Sequence, residues 1–434
     1  MLDMLFQHAD VITMRDEEPV LKNVAVGVKN GRIALPGDES CASKRVIDAS
    51  GHILMPGLVN AHAHLAMTLL RGYADDYALH DWLAAISPAE VLIDSRAAYV
   101  SAMLGIAEML SCGVTSVSDM DMQLCAVLQA VLDAGINASV CNSALCDPSD
   151  AAHTLRKDPA FEEIAGAHAY HGADGGRVRM DMGIHAEYTS TPALCREIAQ
   201  YAVENGYQIQ LHLSETIQDQ KDCIRRHGVS PAKLLEDTGV FDVPVTAAHC
   251  VAATPEDRGL FARHGVTVAH NPVSNLKLGS GIANVATFLG EGVNVALGTD
   301  SACSNNTLDL FEELKLAALL QKGTYMDAQA TNAYAALKTA TVNGAKAQGR
   351  DTETGRIREG LYADLILLDA RSLSMYPVYD PVSAAVYAAT GRNVVITMVR
   401  GKILYERGKF STLDVSALME EARHIVNRLP TKRG

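Results

Sequence analysis

Residues 59–76 read VNAHAHLAMTLLRGYADD, and two histidines in this stretch, His62 and His64, are separated by a single small residue. The first half of the stretch has the short apolar character of a β-strand. In a strand, residues two apart point to the same face, so we expect Asn60, His62 and His64 to share one side. Such a pair is either a pair of metal ligands or two core histidines that happen to be close, and the rest of the chain must distinguish these cases.

This stretch is the first of eight short apolar runs that alternate with helix-length amphipathic segments from about residue 56 to about residue 355. Eight strands, each followed by a helical segment, predict a (β/α)8 TIM barrel, an α/β fold with right-handed crossovers. Enzymes with this fold carry their catalytic residues at the carboxyl ends of the strands. The eight runs are GLVNAHAH, GVTSVSD, NASVCNS, RVRMDMGIH, YQIQLHL, VPVTAAHC, GVTVAH and GVNVALGTD.

Both ends of the chain have a different pattern, which is that of short β-strands. The N-terminal part contains ADVITM, NVAVGVKNGRIAL and RVIDASGHIL, and turn residues such as Asn30-Gly31 favour hairpins. The pattern returns after about residue 355 in GRIREGLYADLILLD and VVITMVRGKILYERGKF, before a final helix from about residue 412. We therefore expect residues 1–55 and 356–434 to form a small β-sandwich, with a C-terminal helix, that flanks a barrel of residues 56–355.

The composition excludes several classes of protein. A length of 434 residues suits a barrel plus a smaller unit. The formal net charge of −14, without a basic run, argues against a nucleic-acid partner. No apolar run has membrane-spanning length, and the N-terminus lacks the features of a signal peptide. Nine scattered cysteines without a CxxC pair favour a reducing, cytoplasmic location over a disulfide framework.

Other predicted strand ends also carry residues that can bind a metal ion. The fifth strand ends in LHLSET, with His212 on the lumen face and Glu215 three residues later, while the sixth ends at His249 and the eighth at Asp300. Histidines and a carboxylate at these ends fit a catalytic ion with one coordination position left open for water. Nitrogen and oxygen ligands suit Zn²⁺, with Fe²⁺ and Mn²⁺ as alternatives.

The fourth predicted strand favours one ion over two. Barrels with two ions commonly bridge them with a carboxylated lysine on this strand, but residues 177–190, RVRMDMGIHAEYTS, contain no lysine and offer His185 instead. Glu215 is then available to move a proton between an activated water and a ring nitrogen. Alternatively, Glu215 caps the helix that follows it, and the two roles are compatible.

Taken together, these motifs resemble those of the amidohydrolase superfamily and, within it, the methylthioadenosine/S-adenosylhomocysteine deaminase group. The resemblance covers nearly the whole chain, including the flanking β regions. It is carried by seven motifs in order, PGLVNAHAHLAMTLLRGYADD, DWLAAISPAE, IHAEYTSTP, LHLSET, AHC, HNPVSNLKLGSGIA and GTDSACSNNTLDLFEELKLAALL.

The resemblance implies a reaction and a role for each strand-end residue. Asp300 would accept a proton from the attacking water, which His249 orients. Water would attack C6 of an adenine ring while Glu215 protonates N1, and the departure of ammonia would leave an inosine-type product. One divalent ion, with Zn²⁺ favoured, would be held by His62, His64, His212 and Asp300.

Further residues match positions that contact the substrate in the family. Glu90 falls where the family holds the ribose hydroxyls, although the segment from Trp82 to Pro88 is one residue shorter than in some relatives. His185 matches a histidine that contacts the substrate. Trp82 either lines the pocket or packs its helix against the barrel. The residues after strands 7 and 8 are expected to shape loops rather than to touch the substrate, namely Ser274, Asn275, Lys277, Asn305 and Asn306.

One departure from the family leaves the substrate open. Members that accept S-adenosylhomocysteine can use arginines near the end of the third strand, but residues 139–148, SVCNSALCDP, contain no basic residue. Adenosine, 5'-deoxyadenosine and methylthioadenosine are therefore candidates beside S-adenosylhomocysteine.

Two other functions also remain open. An aminohydrolase or chlorohydrolase acting on guanine, a pterin or an s-triazine would use the same strand-end residues. A non-catalytic barrel that binds or assembles with another molecule is the more distant alternative. Barrels of this family often form homo-oligomers, and no stretch of the sequence specifies an interface.

Overall fold

The structure is a computed structural model that describes residues 1–35, 40–150 and 152–430. No helix in this part of the chain has the length and apolarity needed to cross a lipid bilayer. The strands, numbered in chain order, are β1 (Leu2–Ile12), β2 (Val20–Lys29), β3 (Arg32–Ala34), β4 (Ser43–Asp48), β5 (His52–Pro56), β6 (Leu58–His64), β7 (Val114–Met120), β8 (Asn137–Cys141), β9 (Ser143–Ala144), β10 (Val178–Met180), β11 (Met182–Ile184), β12 (Ile209–Leu213), β13 (Val245–His249), β14 (Thr267–His270), β15 (Asn294–Leu297), β16 (Asp300–Ser301), β17 (Leu365–Asp369), β18 (Val394–Val399), β19 (Lys402–Glu406) and β20 (Lys409–Phe410).

Helices lie mainly in the connections between the strands from β6 onward. The α-helices are Leu79–Glu90, Ser95–Ser111, Leu124–Ala134, Phe161–Ala167, Ala173–Gly176, Pro192–Asn205, Ile217–His227, Pro231–Asp237, Pro255–His264, Pro272–Lys277, Val285–Gly290, Ala302–Asn305, Leu310–Tyr325, Ala333–Thr339, Val342–Ala347, Pro381–Tyr387 and Val415–Val426. The 3-10 helices are Leu65–Leu70, Leu155–Lys157, His168–Tyr170, Glu187–Thr189, Val240–Asp242 and Gly391–Asn393.

Strands β6 to β16 form a ring of parallel strands. β6 pairs with β7 and β7 with β8, and the ring continues through β10 and β11 to β12, β13, β14 and β15 in order. β16 pairs back with β6, so that Asp300 lies opposite Ala63 and the ring closes. Three positions are each split into two short strands, β8 with β9, β10 with β11, and β15 with β16. The structure therefore contains the eight parallel strand positions and intervening helices that the sequence predicts.

A second sheet joins the two ends of the chain. Among the described residues it has nine strands, and β5 from the N-terminal part pairs antiparallel with β17 from the C-terminal part. The expected hairpin is present, since Asn30 and Gly31 connect β2 to β3 with φ of 52° and 75°. Pairing of the two ends is thus observed, while the two-layer sandwich and the boundaries at residues 55 and 355 stay predictions.

The sheet continues directly into the first strand of the barrel, because Gly57 alone separates β5 from β6. The Gly57 N–H donates to the Asp364 carbonyl at 2.9 Å, and a Cβ atom at position 57 would lie 2.2 Å from the Thr115 side chain. Only glycine fits so close to its neighbour. The terminal sheet therefore fixes where the first barrel strand begins.

The amino ends of the barrel strands are filled by the segment that follows the last barrel helix. Gln348 hydrogen-bonds Ser118 Oγ at 3.0 Å, and the fully buried Arg350 donates to the carbonyls of Ala138 and Arg177 at 3.1 and 2.8 Å. The Arg177 carbonyl also accepts from Ala138 N at 3.1 Å, so the Arg350 side chain adds a second donor there and ties this segment to the strands. A layer of small side chains packs between this segment and the strands, and it consists of Ala61, Ala248, Ala269, Ala296 and Ala347.

Candidate metal and active site

Four histidines and a carboxylate converge at the carboxyl ends of the barrel strands. The candidate ligand atoms of His62, His64 and Asp300 all lie within 4.8 Å of one another, and so do those of His62, His212 and His249. His62 belongs to both groups, so the five side chains form one cluster. The structure thus brings together the residues that the sequence singles out on strands 1, 5, 6 and 8.

The hydrogen bonds of two histidines leave nitrogen lone pairs facing each other. His64 Nδ1 donates to the Met120 carbonyl and His212 Nδ1 to the His185 carbonyl, both at 2.6 Å. Each Nδ1 therefore carries the ring proton of the neutral imidazole, which leaves each Nε2 as an acceptor. The two Nε2 atoms are nevertheless only 3.2 Å apart. Two acceptors at this distance repel unless a cation or a proton lies between them.

Asp300 and His62 place further acceptor atoms beside these two nitrogens, which also favours a positive charge in the cluster. Asp300 Oδ1 lies 3.3 Å from His64 Nε2 and 3.7 Å from His62 Nε2. His62 Nε2 is buried and has no hydrogen-bond partner among the described residues. A divalent ion binds to nitrogen and oxygen atoms of this kind, so the residues present fit a metal.

The protonation equilibria of the cluster point the same way. Burial favours the neutral form of His64, but its hydrogen bond to Asp300 and the Asp300 charge raise the pKa of His64 to about 9. Burial and the neighbouring histidines hold the pKa values of His62 and His212 well below their usual range. Burial would raise the pKa of Asp300, yet His64 and the other histidines keep it well below its usual range. The cluster therefore attracts one positive charge, and a proton and a metal ion compete for it.

The first barrel strand does not alternate regularly over the two histidines. Its pairing with β7 shifts register between Asn60 and Ala63, as in a β-bulge. Asn60 consequently bonds Thr299 instead of joining the cluster: its Nδ2 donates to Thr299 Oγ1 at 2.8 Å, and its Oδ1 accepts from Thr299 N at 3.1 Å. The expectation that Asn60, His62 and His64 share one face by simple alternation is therefore corrected, although both histidines do reach the cluster.

Several strands leave the barrel through an unusual backbone conformation. Ser214, His249 and Asp300 have φ of 48°, 71° and 60°, in the left-handed region that residues other than glycine rarely adopt. Such strain costs free energy and concentrates at functional sites. Here it turns the chain at the points where the side chains of the cluster must be presented.

The helix after strand 7 supports two members of the cluster. Ser274 Oγ donates to Asp300 Oδ2 at 2.5 Å, and His249 Nδ1 donates to Asn275 Oδ1 at 2.8 Å. Both supporting side chains lie in helix Pro272–Lys277 and are buried. The sequence predicts only a loop-shaping role for Ser274 and Asn275, whereas the structure shows them in contact with predicted catalytic residues.

The other residues of these loops bind one another. Lys277 Nζ forms an ion pair with Asp75 at 2.6 Å and donates to Asn306 Oδ1 at 2.5 Å. Asn305 Nδ2 donates to the Thr299 carbonyl at 2.8 Å and to the buried Glu313. These contacts join the segments after strands 7 and 8, in agreement with the loop-shaping role expected for Lys277, Asn305 and Asn306.

Glu215 lies at the edge of the cluster. Its Oε2 is 3.7 Å from His249 Nε2, and its Oε1 accepts a hydrogen bond from Ser280 Oγ at 3.2 Å. Burial raises the pKa of Glu215 above its ordinary value. Glu215 does not cap the helix that follows, because Thr216 and Asp219 form that capping box. The carboxyl group is therefore available for chemistry.

A cavity of ≈ 440 Å³ opens above the cluster, which is within the usual size range of small-molecule sites. Trp82 and Glu90, on helix Leu79–Glu90, line this cavity, and so does His185. Trp82 is buried and its Nε1 has no hydrogen-bond partner within the described part of the chain. Burial raises the pKa of Glu90 and lowers that of His185 to about 4. The structure thus places all three predicted substrate-contacting residues around one space.

Two carboxylates beside the cluster were not predicted from the sequence. Asp119 and Asp121 flank Met120 at the end of β7, and both are buried. Asp119 accepts a hydrogen bond from Leu65 N at 2.7 Å, and Asp121 accepts one from Ala66 N at 2.8 Å. The motif SDMDM at the end of the second predicted strand is the available signal, because aspartates are seldom buried without a specific partner.

Comparison with known proteins adds relatives of known name. The Amidohydrolase family model matches residues 53–404. A 5-methylthioadenosine/S-adenosylhomocysteine deaminase of Acetivibrio thermocellus is 41% identical, with 99% of this chain and 100% of the relative covered. A 5'-deoxyadenosine deaminase of Methanosarcina barkeri is 40% identical, with 100% of this chain and 99% of the relative covered. The crystal structure of an adenosine deaminase from Xanthomonas campestris with bound zinc has a TM-score of 0.93 at 33% identity and covers 98% of each chain.

The geometry of the cluster predicts that the purified chain binds about one divalent ion. His212→Ala removes a nitrogen that faces His64. We expect the metal affinity of this variant to fall by more than roughly 10–100-fold, the loss that is typical when a residue hydrogen-bonded to a metal ligand is removed. His52→Asn is the control, since His52 is also buried but lies on β5 outside the cluster. Elemental analysis and competition with a chelator measure both effects, and equal affinities of the two variants would contradict the assignment.

Proposed function

Because the chain belongs to the amidohydrolase family, we propose that it hydrolytically deaminates the adenine ring of adenosine or of a 5'-modified adenosine, giving the inosine analogue and ammonia. The names of its relatives, which are deaminases of adenosine derivatives, support this proposal. The observation that carries it is the position of Glu215, a buried carboxyl group beside a metal-competent cluster, in a cavity that also contains Glu90. Glu215 suits proton transfer to a ring nitrogen, and Glu90 suits binding of sugar hydroxyls.

We infer that one divalent ion is held by His62, His64, His212 and Asp300. The zinc in the related crystal structure and the ligand set favour Zn²⁺ over Fe²⁺ and Mn²⁺. An ion held by such ligands lowers the pKa of a water molecule toward neutrality, so that a strong nucleophile is available near neutral pH. His249 faces the same space but is held by Asn275 and lies beside Glu215, which suits it to orient the attacking water.

Glu215 is the group that moves protons in this proposal. Its raised pKa lets it hold a proton more readily than an exposed glutamate does. Glu215 takes the first proton of the attacking water. As the water oxygen adds to C6 of the ring, the electron pair of the C6–N1 double bond moves to N1, which takes that proton from Glu215. Asp300 accepts the second proton of the water and passes it to the amino group. The bond between C6 and the amino nitrogen then breaks as the C6–O double bond forms, and ammonia leaves.

Helix Leu79–Glu90 provides the surroundings for the nucleoside. Trp82, Leu83, Ile86 and Glu90 recur at helical spacing and line the cavity together. The carboxyl oxygens of Glu90 suit two adjacent ribose hydroxyls, and the apolar side chains suit the flat faces of the base. His185, which stays neutral because its pKa is lowered to about 4, can share a hydrogen bond with the substrate.

The outer part of the cavity suits an uncharged 5' group. Val91, Met122 and Leu145 line it and are 75%, 48% and 37% exposed, so apolar surface faces the mouth. Among the described residues that line the cavity, none is Lys or Arg. The nearby Lys277 is already paired with Asp75. We therefore propose that adenosine, 5'-deoxyadenosine and methylthioadenosine are better substrates than S-adenosylhomocysteine, whose amino-acid group would lack a partner.

Loss of the adenine absorbance with these four nucleosides tests the proposed function. We expect kcat/KM for S-adenosylhomocysteine to be at least about 10-fold lower than for methylthioadenosine, because its charged tail gains no charge-assisted hydrogen bond. Equal values would overturn the proposed preference for an uncharged 5' group. Absence of turnover with all four nucleosides would overturn the proposed function itself.

Removal of the proton-transfer group separates catalysis from metal binding. We expect Glu215→Gln to lower kcat by about 10²–10⁴-fold, because the amide keeps the shape of the side chain but cannot accept and donate the proton. Its metal content should equal that of the wild type, since Glu215 is not one of the proposed ligands. A variant that keeps more than about a tenth of the wild-type kcat would rule out Glu215 as the proton carrier.

Comparing the turnover of free adenine with that of nucleosides distinguishes the proposed function from that of a hydrolase acting on free bases or triazines. Glu90→Ala should reduce kcat/KM for nucleosides by about 10–100-fold, the value of a lost hydrogen bond to a charged group, and leave adenine turnover unchanged. Asp81→Ala is the matched control, because Asp81 is an exposed carboxylate on the same helix. An equal loss for adenine and nucleosides would show that Glu90 does not bind the sugar.

A further inference from the structure

The turn that follows His64 has no cap of its own. The 3-10 helix Leu65–Leu70 begins directly after His64, whose side chain makes no capping hydrogen bond. The first backbone N–H groups of a helix need partners from elsewhere. Here the partners come from the neighbouring strand, since Asp119 accepts from Leu65 N and Asp121 accepts from Ala66 N.

The residue between the two carboxylates binds His64 itself. The Met120 carbonyl accepts the 2.6 Å hydrogen bond from His64 Nδ1. Residues 119–121, at the end of β7, therefore bind residues 64–66, at the end of β6 and in the turn that follows it. Asp119 also lies opposite Ala63 in the sheet. The two aspartate side chains lie close together, so a hydrogen bond joins them when one of the two carboxyl groups carries a proton.

We propose that Asp119 and Asp121 are positioning residues for the metal ligand His64. We call them, with the Met120 carbonyl, the Asp119–Asp121 clip. The clip fixes the end of the first strand against the second, and so aims His64 Nε2 at Asp300 and His212. Metal ligands need outer partners of this kind, because an imidazole that rotates freely loses its alignment with the other ligands. The proposal rests on the metal site proposed above.

Asp119 is the part of the clip that can be changed apart from the substrate site and the fold, since Asp121 and Met120 line the cavity. Asp119 does not line the cavity, so its loss leaves the walls of the substrate site intact. The same turn is also anchored from helix Ser95–Ser111, where Ser101 Oγ donates to the Ala66 carbonyl at 2.8 Å and accepts from Leu69 N at 3.0 Å. Removal of one carboxylate should therefore loosen the ligand while the turn stays attached.

The test compares the metal affinity of the wild type and its variants by competition with a chelator. We expect Asp119→Ala to lose about 10–100-fold in Zn²⁺ affinity relative to the wild type and to change the visible absorption spectrum of the Co²⁺-loaded protein. Asp119→Asn should stay within about 3-fold of the wild type, because its amide oxygen still accepts from Leu65 N and its amide N–H still donates to Asp121. With substrate, Asp119→Ala should lower kcat more than it raises KM.

A matched control and a second variant cover the alternatives. Asp364→Ala also removes a buried carboxylate that binds a backbone N–H, that of Arg400 at 2.7 Å, and should lower thermal stability without changing metal affinity. Asp121→Ala removes the other half of the clip and should reproduce the loss. Wild-type metal affinity in Asp119→Ala, or loss of folding in both clip variants, would overturn the proposal. A wild-type chain that binds no divalent ion would instead overturn the metal site.

Discussion

Lone pairs of two imidazoles and the charge of a carboxylate, all directed into one buried space, repel one another unless a cation lies among them. The His64 and His212 Nε2 atoms are 3.2 Å apart, and Asp300 Oδ1 is 3.3 Å from His64 Nε2. Folding must supply the free energy to hold them there, and it does so through the carbonyls of adjacent strands. Closure of the ring of strands and formation of the cluster therefore depend on each other, because His64 and His212 are each held by a carbonyl at the end of the neighbouring strand.

Much of this arrangement follows from local rules that act on the sequence. Parallel strands present their carboxyl ends at one edge, so residues that end separate strands, such as His212, His249 and Asp300, can be assigned to one site from the order of the strands alone. The pattern of short strands at both chain ends likewise predicts that the two ends pair, and β5 does pair with β17. These predictions succeed because they need only the period of a strand and the order of the elements.

The rest depends on contacts between residues distant in sequence. Simple alternation fails where the register shifts between Asn60 and Ala63, and no local signal marks that shift. Asn275 sits in a segment that reads as a loop, yet its contact with His249 spans 26 residues. Asp119 meets Leu65 across 54 residues. Residues that support a site through such contacts differ little in sequence from ordinary polar residues, so the supports are harder to predict than the ligands.

The bond between Asn60 and Thr299 joins the first and last barrel strands across 239 residues of chain. During synthesis the two histidines of the first strand therefore leave the ribosome long before Asp300 does. A lone histidine pair binds transition metals in the order of their intrinsic affinities, with little selection by geometry. The full set of proposed ligands exists only after the ring has closed, so we expect the finished barrel, and not the nascent chain, to select the metal.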